Sequence, residues 1–180
     1  MLTKNEIIKQ MEIGNIVISP LKEGALSGPN SCDLHLGKTL MVYTDEVLDI
    51  KKQNETTSFE IPEEGYVLLP GILYLGETEE YTETRGFVPK IDGVSSGARL
   101  GLTVHKTAGF GDIGFCGKWT LEITVDHPLR VYPGSRVAQI YYDVPIGEIA
   151  DTYHGKYQNS DGVKASRSYE DYTRKVEDAE

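Results

Sequence analysis

The first hydrophobic residues of the chain recur with a helical period. Thr3 and Glu6 have the spacing of a capping box, which predicts a short helix that ends near Gly14. The apolar stripe of this helix consists of Ile7, Ile8 and Met11. The pattern changes after Gly14, so we expect a single helix at the N-terminus.

The remaining hydrophobic residues occur in short segments that are rich in β-branched and aromatic side chains. Gly, Pro, Asn and Asp separate these segments at the spacing of an all-β fold. The segments are IVIS, CDLHL, LMVY, YVLLP, ILYLG, LGLTVH, WTLEITV, LRVY and RVAQIYYDV. The sequence therefore predicts a mainly β fold.

Two stretches depart from the strand pattern. Residues 45–58 are polar, and we interpret them as a variable loop or hairpin. From Tyr153 onward the chain becomes polar and charged, and it ends in KVEDAE. We expect this tail to be disordered, or ordered only by a partner or a ligand.

Composition limits the function classes. The chain has 180 residues, of which 39% are hydrophobic, so we expect one domain over residues 1–180 with a substantial core. Lys and Arg number 18 against 28 Asp and Glu, a formal charge of -10. This acidity disfavours non-specific nucleic-acid binding, which depends on a basic face, but it allows a small phosphorylated ligand.

The sequence also predicts a soluble, cytoplasmic protein. No apolar stretch reaches the roughly 20 residues of a membrane span, and the N-terminal segment is too polar for a signal peptide. Cys32 and Cys116 are the only cysteines, and neither belongs to a C-x-x-C pair. A disulfide framework and a structural zinc site are therefore not expected.

Candidate chemistry is densest between Asp92 and Gln139. In DGVSSGARLGL, small residues surround two hydroxyls and a guanidinium: Ser95, Ser96 and Arg99. Hydroxyls, turn N–H groups and an arginine can together bind a polyphosphate. Ser-rich turns before strands are also common, so the residues alone leave both interpretations open.

Glu122 lies in WTLEITV, where strand alternation puts Trp119 and Leu121 on the opposite face. Such a carboxylate is either solvated or, if its face lines a cleft, a candidate for proton transfer with a raised pKa. Asp112 lies in a Gly-rich turn, where a simple Asx turn is the alternative. We interpret His105 as a surface or hydrogen-bonded histidine.

The start of the tail, DTYHGKYQNSDG, has two interpretations. It can be a solvated loop, or a flap whose Lys156 and Tyr153 close over phosphates.

Taken together, these motifs resemble the dCTP deaminases of the dUTPase-like superfamily. The matching motifs occur in family order over nearly the whole chain: NSCDLHLG, DGVSSGARLGL, H-x-TAGFGDIGF, TLE, PGSRVAQ and GKYQ…G…SRSY. The resemblance implies a distorted antiparallel jelly roll with a short N-terminal helix and a flexible C-terminal lid over residues 153–180. It also implies a homotrimer with active sites at subunit interfaces, and deamination of dCTP without zinc. The sequence agrees, because zinc deaminases use a C-x-x-C signature that is missing here.

The resemblance also implies roles for individual residues. Glu122 would be the base that activates water, Ser95 and the Ala108 carbonyl would hold that water, and Arg99 would orient Glu122 and the triphosphate. Asp112 would bind the sugar 3′-hydroxyl. Further substrate contacts would come from Ser96, Gly97, Ala98, Phe115, Thr120, Leu121, Gln139, Tyr153, Lys156 and Gln158. Mg²⁺ would arrive on the nucleotide, and dUTP or the inhibitor dTTP are further candidate ligands.

The chain departs from the family pattern at four positions. Val94 stands where Arg is usual, Ser160 where Gln is common, His35 where Arg is usual and Ile113 where Pro is common. Within the family, Gly109 and Phe110 are typical of bifunctional enzymes that release diphosphate and form dUMP.

Two other functions stay open on the sequence: a dUTPase without deaminase activity, and a non-enzymatic nucleotide-binding protein. The presence of Glu122 and of the SS-x-x-R spacing favours deamination, because a dUTPase needs no base at C4. Loss of the usual Arg at position 94 is the argument for a binding protein.

Overall fold

A computed structural model describes residues 1–177. Its strands are β1 (Ile16–Ser19), β2 (Cys32–Tyr43), β3 (Thr56–Glu60), β4 (Tyr66–Leu68), β5 (Tyr74–Thr84), β6 (Val88–Gly93), β7 (Leu102–Thr103), β8 (Cys116–Val125), β9 (Leu129–Val131) and β10 (Arg136–Asp143). Its helices are α1 (Lys4–Glu12), α2 (Ser95–Ala98) and α3 (Glu170–Glu177). The predicted mainly β architecture is confirmed.

The N-terminal helix begins and ends where the sequence predicts. The Thr3 hydroxyl accepts a hydrogen bond from the Glu6 N–H at 3.4 Å. Gly14, with φ +81°, follows the last turn in a conformation that suits glycine. Within the helix, Ile7 is fully buried.

The eight-stranded sheet has the central order β6-β10-β2-β5-β8-β7, with β1 paired to β5 and β3 paired to β2. All of these pairings are antiparallel, and β4 and β9 form a separate antiparallel pair. The pairing of β2 with β3 makes the polar stretch at residues 45–58 the turn and second strand of a hairpin. One of the two interpretations offered for that stretch is therefore confirmed.

The core lies on the inner faces of β2, β5, β8 and β10. Side chains of β8 alternate between buried and half-buried along the whole strand, as predicted from WTLEITV. Its buried members are Trp119, Leu121, Ile123 and Val125. The opposite row, with Thr120 and Glu122, is therefore left for a ligand or for solvent.

A bulge in β5 buries polar groups in the middle of the sheet. The pairing of β5 with β8 shifts between Glu77 and Tyr81. Glu80 is 1% exposed, and its carboxylate accepts hydrogen bonds from the His35 backbone N–H at 2.9 Å and pairs with His35 Nδ1 at 2.6 Å. This contact accounts for His35, because an imidazole here satisfies a buried carboxylate.

The tail follows the surface without strand structure of its own. It bonds to the outer edge of β8, where the Asn159 N–H donates to the Cys116 carbonyl at 2.8 Å and the Lys118 N–H donates to the Ser160 carbonyl at 2.7 Å. The end of the proposed lid, residues 178–180, lies outside the described residues. The mobility expected of the tail stays a prediction. In the part of the chain that is described, none of the helices could cross a membrane.

Candidate active site

A cavity of about 500 Å³ lies between β8, the loop before it and the tail. Its walls combine aromatic rings with charged side chains. The lining residues are Tyr43, Leu73, Leu75, Ala108, Phe110, Gly111, Asp112, Phe115, Lys118, Trp119, Thr120, Glu122, Tyr153, Tyr157, Ser160, Lys164, Ala165 and Ser166. Apolar walls with a few polar groups are typical of small-molecule sites.

Glu122 is the half-buried carboxylate of this cavity. Its Oε2 accepts a hydrogen bond from the Lys106 backbone N–H at 3.3 Å. Burial raises the pKa of the Glu122 carboxyl above its ordinary value, although this N–H and the nearby His105 act in the opposite direction. A carboxyl with a raised pKa can both accept and return a proton near neutral pH.

The strand that carries Glu122 also leaves part of its backbone edge unpaired. The Trp119 N–H donates to Thr78 of β5, while the Lys118 N–H faces the tail, so the backbone groups of even-numbered β8 residues point away from β5. The tail covers this edge up to Lys118, and β7 covers it from Thr124. Within residues 1–177, no backbone partner covers Thr120, so its N–H and C=O are available to a flat, polar ligand edge, whereas the Glu122 N–H bonds to its own carboxylate.

The loop from His105 to Phe115 is held close to β6 and forms one wall of the cavity. The Ile91 N–H donates to the Gly109 carbonyl at 2.7 Å, and the Gly111 N–H donates to the Pro89 carbonyl at 2.9 Å. A Cβ on Gly109 would lie 2.4 Å from the Ile91 carbonyl oxygen, so this approach requires glycine.

An aromatic cluster lies beside this loop. The Phe115 ring centroid is 5.0 Å from that of Trp119 and 5.9 Å from that of Tyr153. Asp112 is exposed next to it, and within residues 1–177 its carboxylate makes no hydrogen bond. The alternative of an Asx turn at Asp112 is therefore absent from the structure, and the carboxylate is available to a ligand.

The structure brings part of the predicted site together. Predicted residues that line the cavity are Ala108, Asp112, Phe115, Thr120, Tyr153 and Glu122. The predicted phosphate-binding turn is elsewhere in the same chain. It forms α2 on the surface, where Ser95 and Arg99 are exposed and the Arg99 Nη1 donates to the Ser95 carbonyl at 2.9 Å. Its other members, Ser96, Gly97 and Ala98, lie on the same short helix.

Four further predicted residues also lie outside the cavity lining. Leu121 is fully buried, with its backbone paired to Gly76. Gln139, on β10, accepts from the Ser31 hydroxyl at 3.0 Å and donates to the Gly93 carbonyl at 3.2 Å. Their proposed substrate contacts stay predictions.

The two tail residues in this group have partners within the protein. The Lys156 ammonium donates to the Asp171 carboxylate at 2.6 Å and to the Arg167 carbonyl at 3.1 Å. The Gln158 amide donates to the Gly114 carbonyl at 2.8 Å and accepts from the Cys116 N–H at 3.0 Å. Gln158 therefore fastens the tail to the start of β8 in this conformation.

Two positions that depart from the family pattern also have internal partners. Val94 is buried and precedes α2, and its N–H donates to the Val137 carbonyl at 3.3 Å. Ser160 is 5% exposed and bridges to Gly117. Val94 supplies no charge, and the Ser160 hydroxyl, at the cavity wall, donates to the Gly162 carbonyl at 3.0 Å.

Several lining residues were not singled out from the sequence. Lys118 lies two residues before Thr120 on the same face of β8, so strand alternation could have found it. Its ammonium is 4.0 Å from the Glu77 carboxylate. Tyr43 and Lys164 come from distant parts of the chain, and no local pattern places them here. Among residues 1–177, no group of three or more His, Cys, Asp or Glu side chains could hold a metal ion.

Comparisons with known proteins identify the family of the chain. The fold is shared with a solved 2′-deoxycytidine 5′-triphosphate deaminase from Agrobacterium tumefaciens, which superposes on 80% of this chain with a TM-score of 0.63 at 21% identity. The chain spans 47% of that protein's length. A family model described as dCTP deaminase-like matches residues 1–144. The chain therefore belongs to the dCTP deaminase-like family.

Closer relatives cover nearly the whole chain. A Leptospira biflexa protein named "dCTP deaminase, dUMP-forming" is 50% identical over 97% of this chain and 99% of its own length. A Clostridium botulinum protein of the same name is 50% identical over 96% of this chain and 99% of its own length. The family resemblance is confirmed, and both relatives carry the name of the dUMP-forming type that the resemblance favours.

Proposed function

We propose that this protein is a dUMP-forming dCTP deaminase. The reaction consumes dCTP and two water molecules and releases ammonia, diphosphate and dUMP. The main observation behind this proposal is the Glu122 carboxylate. It is half-buried in the cavity, its pKa is raised, and it lies next to the open backbone edge of β8 at Thr120. The close relatives with this name support the same activity.

Glu122 acts as the general base in the deamination step. Its carboxylate takes a proton from the water that attacks C4 of the cytosine ring, and it returns a proton to the departing amino group. A raised pKa of Glu122 serves both proton transfers. It makes the carboxylate a stronger base toward the attacking water, and the carboxyl can still donate its proton to the departing amino group. The free backbone groups of Thr120 read the polar edge of the base.

Asp112 and the aromatic cluster bind the sugar. The exposed carboxylate of Asp112 accepts from the 3′-hydroxyl, and the Phe115 ring packs against the deoxyribose face. Lys118 and Lys164 bring two ammonium groups to the cavity, beside Glu77 at 4.0 Å and Asp161 at 2.7 Å respectively, and either can donate to a phosphate oxygen of the ligand. The substrate is the Mg²⁺ complex of the triphosphate.

A second copy of the chain completes the site. Ser95 begins α2 and Arg99 follows it, and both are exposed outside the cavity of their own chain, so they are available to the cavity of a neighbour. We infer a homotrimer in which each site combines Glu122 of one copy with α2 of another. The proposal also treats the chain as a single domain with residues 153–180 as its lid. We further propose dTTP as an inhibitor and the cytoplasm as the place where the enzyme acts.

Product analysis tests the activity. Purified protein is incubated with Mg²⁺ and dCTP, and ammonia, dUTP, dUMP and diphosphate are separated and quantified. Equal amounts of ammonia, dUMP and diphosphate are expected. Ammonia with dUTP as the end product would identify a deaminase that keeps the triphosphate. Conversion of added dUTP but not dCTP would identify a dUTPase, and no turnover of either would contradict an enzyme of this family.

A further inference from the structure

Three tyrosine hydroxyls hold the backbone of the tail where it crosses the cavity. The Tyr43 oxygen accepts from the Ser166 N–H at 2.9 Å, and the Tyr157 oxygen accepts from the Arg167 N–H at 2.9 Å. The Tyr153 oxygen accepts from the Tyr157 N–H at 3.2 Å. All three rings line the cavity, so each tyrosine contacts both the ligand space and the segment that covers it.

Tyr43 differs from the other two because it belongs to the body of the protein. It is the last residue of β2, more than a hundred residues before its partner, whereas Tyr153 and Tyr157 belong to the tail itself. A second contact supports it nearby, since the Ser168 hydroxyl donates to the Ile50 carbonyl at 2.9 Å. Residues 166–168 therefore contact the end of β2 and the connection that follows it.

A phenol oxygen that accepts one hydrogen bond still has its own hydrogen to donate. Within residues 1–177, the O–H groups of Tyr43 and Tyr157 have no protein acceptor at hydrogen-bond distance. An anionic oxygen in the cavity would supply one. Donation to that oxygen makes the phenol oxygen a better acceptor, because hydrogen bonds in a chain polarise one another.

We propose that Tyr43 and Tyr157 are positioning residues that couple the occupied cavity to closure of the tail. Each donates its O–H to an anionic oxygen of the ligand, in the class of phosphate oxygens, and accepts a tail N–H with the same oxygen atom. A bound nucleotide thus strengthens the contacts at Ser166 and Arg167 and holds the tail closed. The identification of the ligand as a nucleotide triphosphate rests on the proposed function.

The test removes one hydroxyl at a time and keeps the ring. Tyr43→Phe and Tyr157→Phe leave the cavity walls in place, and Tyr172→Phe is the matched control. Tyr172 lies in the same tail, and its ring contacts the Lys51 ammonium at 5.4 Å rather than a tail N–H. Amide hydrogen exchange at residues 160–172 is measured without ligand and with dCTP in the Glu122→Gln background, where the base cannot turn the nucleotide over.

In the free protein, each phenylalanine variant should speed exchange of its partner amide by roughly three- to tenfold, the value of one hydrogen bond. Addition of dCTP should slow amide exchange at Ser166 and Arg167 in the parent protein. Tyr43→Phe should lose this slowing at Ser166, and Tyr157→Phe should lose it at Arg167. In the active background, the apparent KM for dCTP should rise roughly three- to tenfold with kcat changed less than twofold. Tyr172→Phe should match the parent in every measurement.

Two failures are distinguishable. If the parent enzyme does not release ammonia from dCTP, the proposed function is wrong, whatever the tyrosines do. If it turns dCTP over and Tyr43→Phe and Tyr157→Phe keep the parent KM and the parent dCTP-dependent protection, the coupling proposal is wrong. A fall in kcat with unchanged KM would also contradict it, because closure would then not contribute to binding.

Discussion

At the scale of single residues, Glu122 combines a reactive group with an environment that changes its protonation. We predict that Glu122→Gln keeps the fold but lowers ammonia release from dCTP by on the order of a hundredfold or more, because the amide cannot accept the proton of the attacking water. Measurement of ammonia release checks the loss of activity, and circular dichroism of the variant checks that the fold is kept. A near wild-type rate would show that another group is the base.

The raised pKa of Glu122 also predicts a dependence on pH. The base acts only when ionised, so activity should fall as the pH falls through the raised pKa. The free energy of unfolding depends on pH with the opposite sign, because ionising a partly buried carboxylate is unfavourable in the folded state. The protein is therefore destabilised as the pH rises from the Glu122 pKa of the unfolded chain to the higher Glu122 pKa of the folded protein. Thermal unfolding at pH 4 and pH 8 checks this sign. The Tm of Glu122→Gln relative to wild type should be higher at pH 8.

Gly109 illustrates a second requirement at this scale, the close approach of two backbone segments. Gly109→Ala would place a methyl group 2.4 Å from the Ile91 carbonyl oxygen, so the loop must move. We expect a loss of about 1–3 kcal/mol of unfolding free energy, together with reduced activity. Gly28→Ala is the control, since its Cβ would have an ordinary contact of 3.4 Å with Ser31. Equal denaturant midpoints for the two variants would contradict the prediction.

At the scale of elements, hydrogen bonds to other segments fix the conformation of the tail, which has no strand-like hydrophobic pattern of its own. Lys156 donates to Asp171 of α3, although the family resemblance assigns it to phosphate. We predict that Lys156→Ala raises the apparent KM for dCTP several-fold, whereas Asp171→Asn leaves it unchanged or lowers it, because the asparagine variant releases the ammonium for the ligand.

Steady-state kinetics of both variants separate the two roles of Lys156. If the lysine only fastens α3 to the tail, both substitutions break the same contact and should raise KM equally. This outcome would remove Lys156 from the substrate-binding set.

At the scale of the whole molecule, α2 lies outside the cavity of its own chain, so the proposed site needs a second copy to complete it. We predict a homotrimer by light scattering. Glu122→Gln and Arg99→Ala chains, each inactive alone, should regain activity when they are co-expressed, with roughly a quarter of the sites intact after random assembly. Co-expression of each variant with itself is the control. An active monomer, or mixed oligomers without activity, would contradict a shared site.

The sequence by itself determined those features that depend on local backbone geometry. The capped helix at Thr3 and the alternation along β8 are properties of neighbouring residues, and the structure has them where they were predicted. The family followed from several motifs in register, which the relatives confirm. The candidate base, Glu122, belongs to this group because its side chain has to lie opposite the core row of β8.

The tertiary structure alone decided which distant residues meet. Tyr43 and Lys164 reach the cavity through the register of β2 and the path of the tail, and Lys156 meets Asp171 where the family resemblance predicts phosphate. It also decided that α2 lies outside the cavity of its own chain. Such contacts depend on strand pairing, the β5 bulge and hydrogen bonds between segments far apart in sequence, and no local period along the chain encodes them.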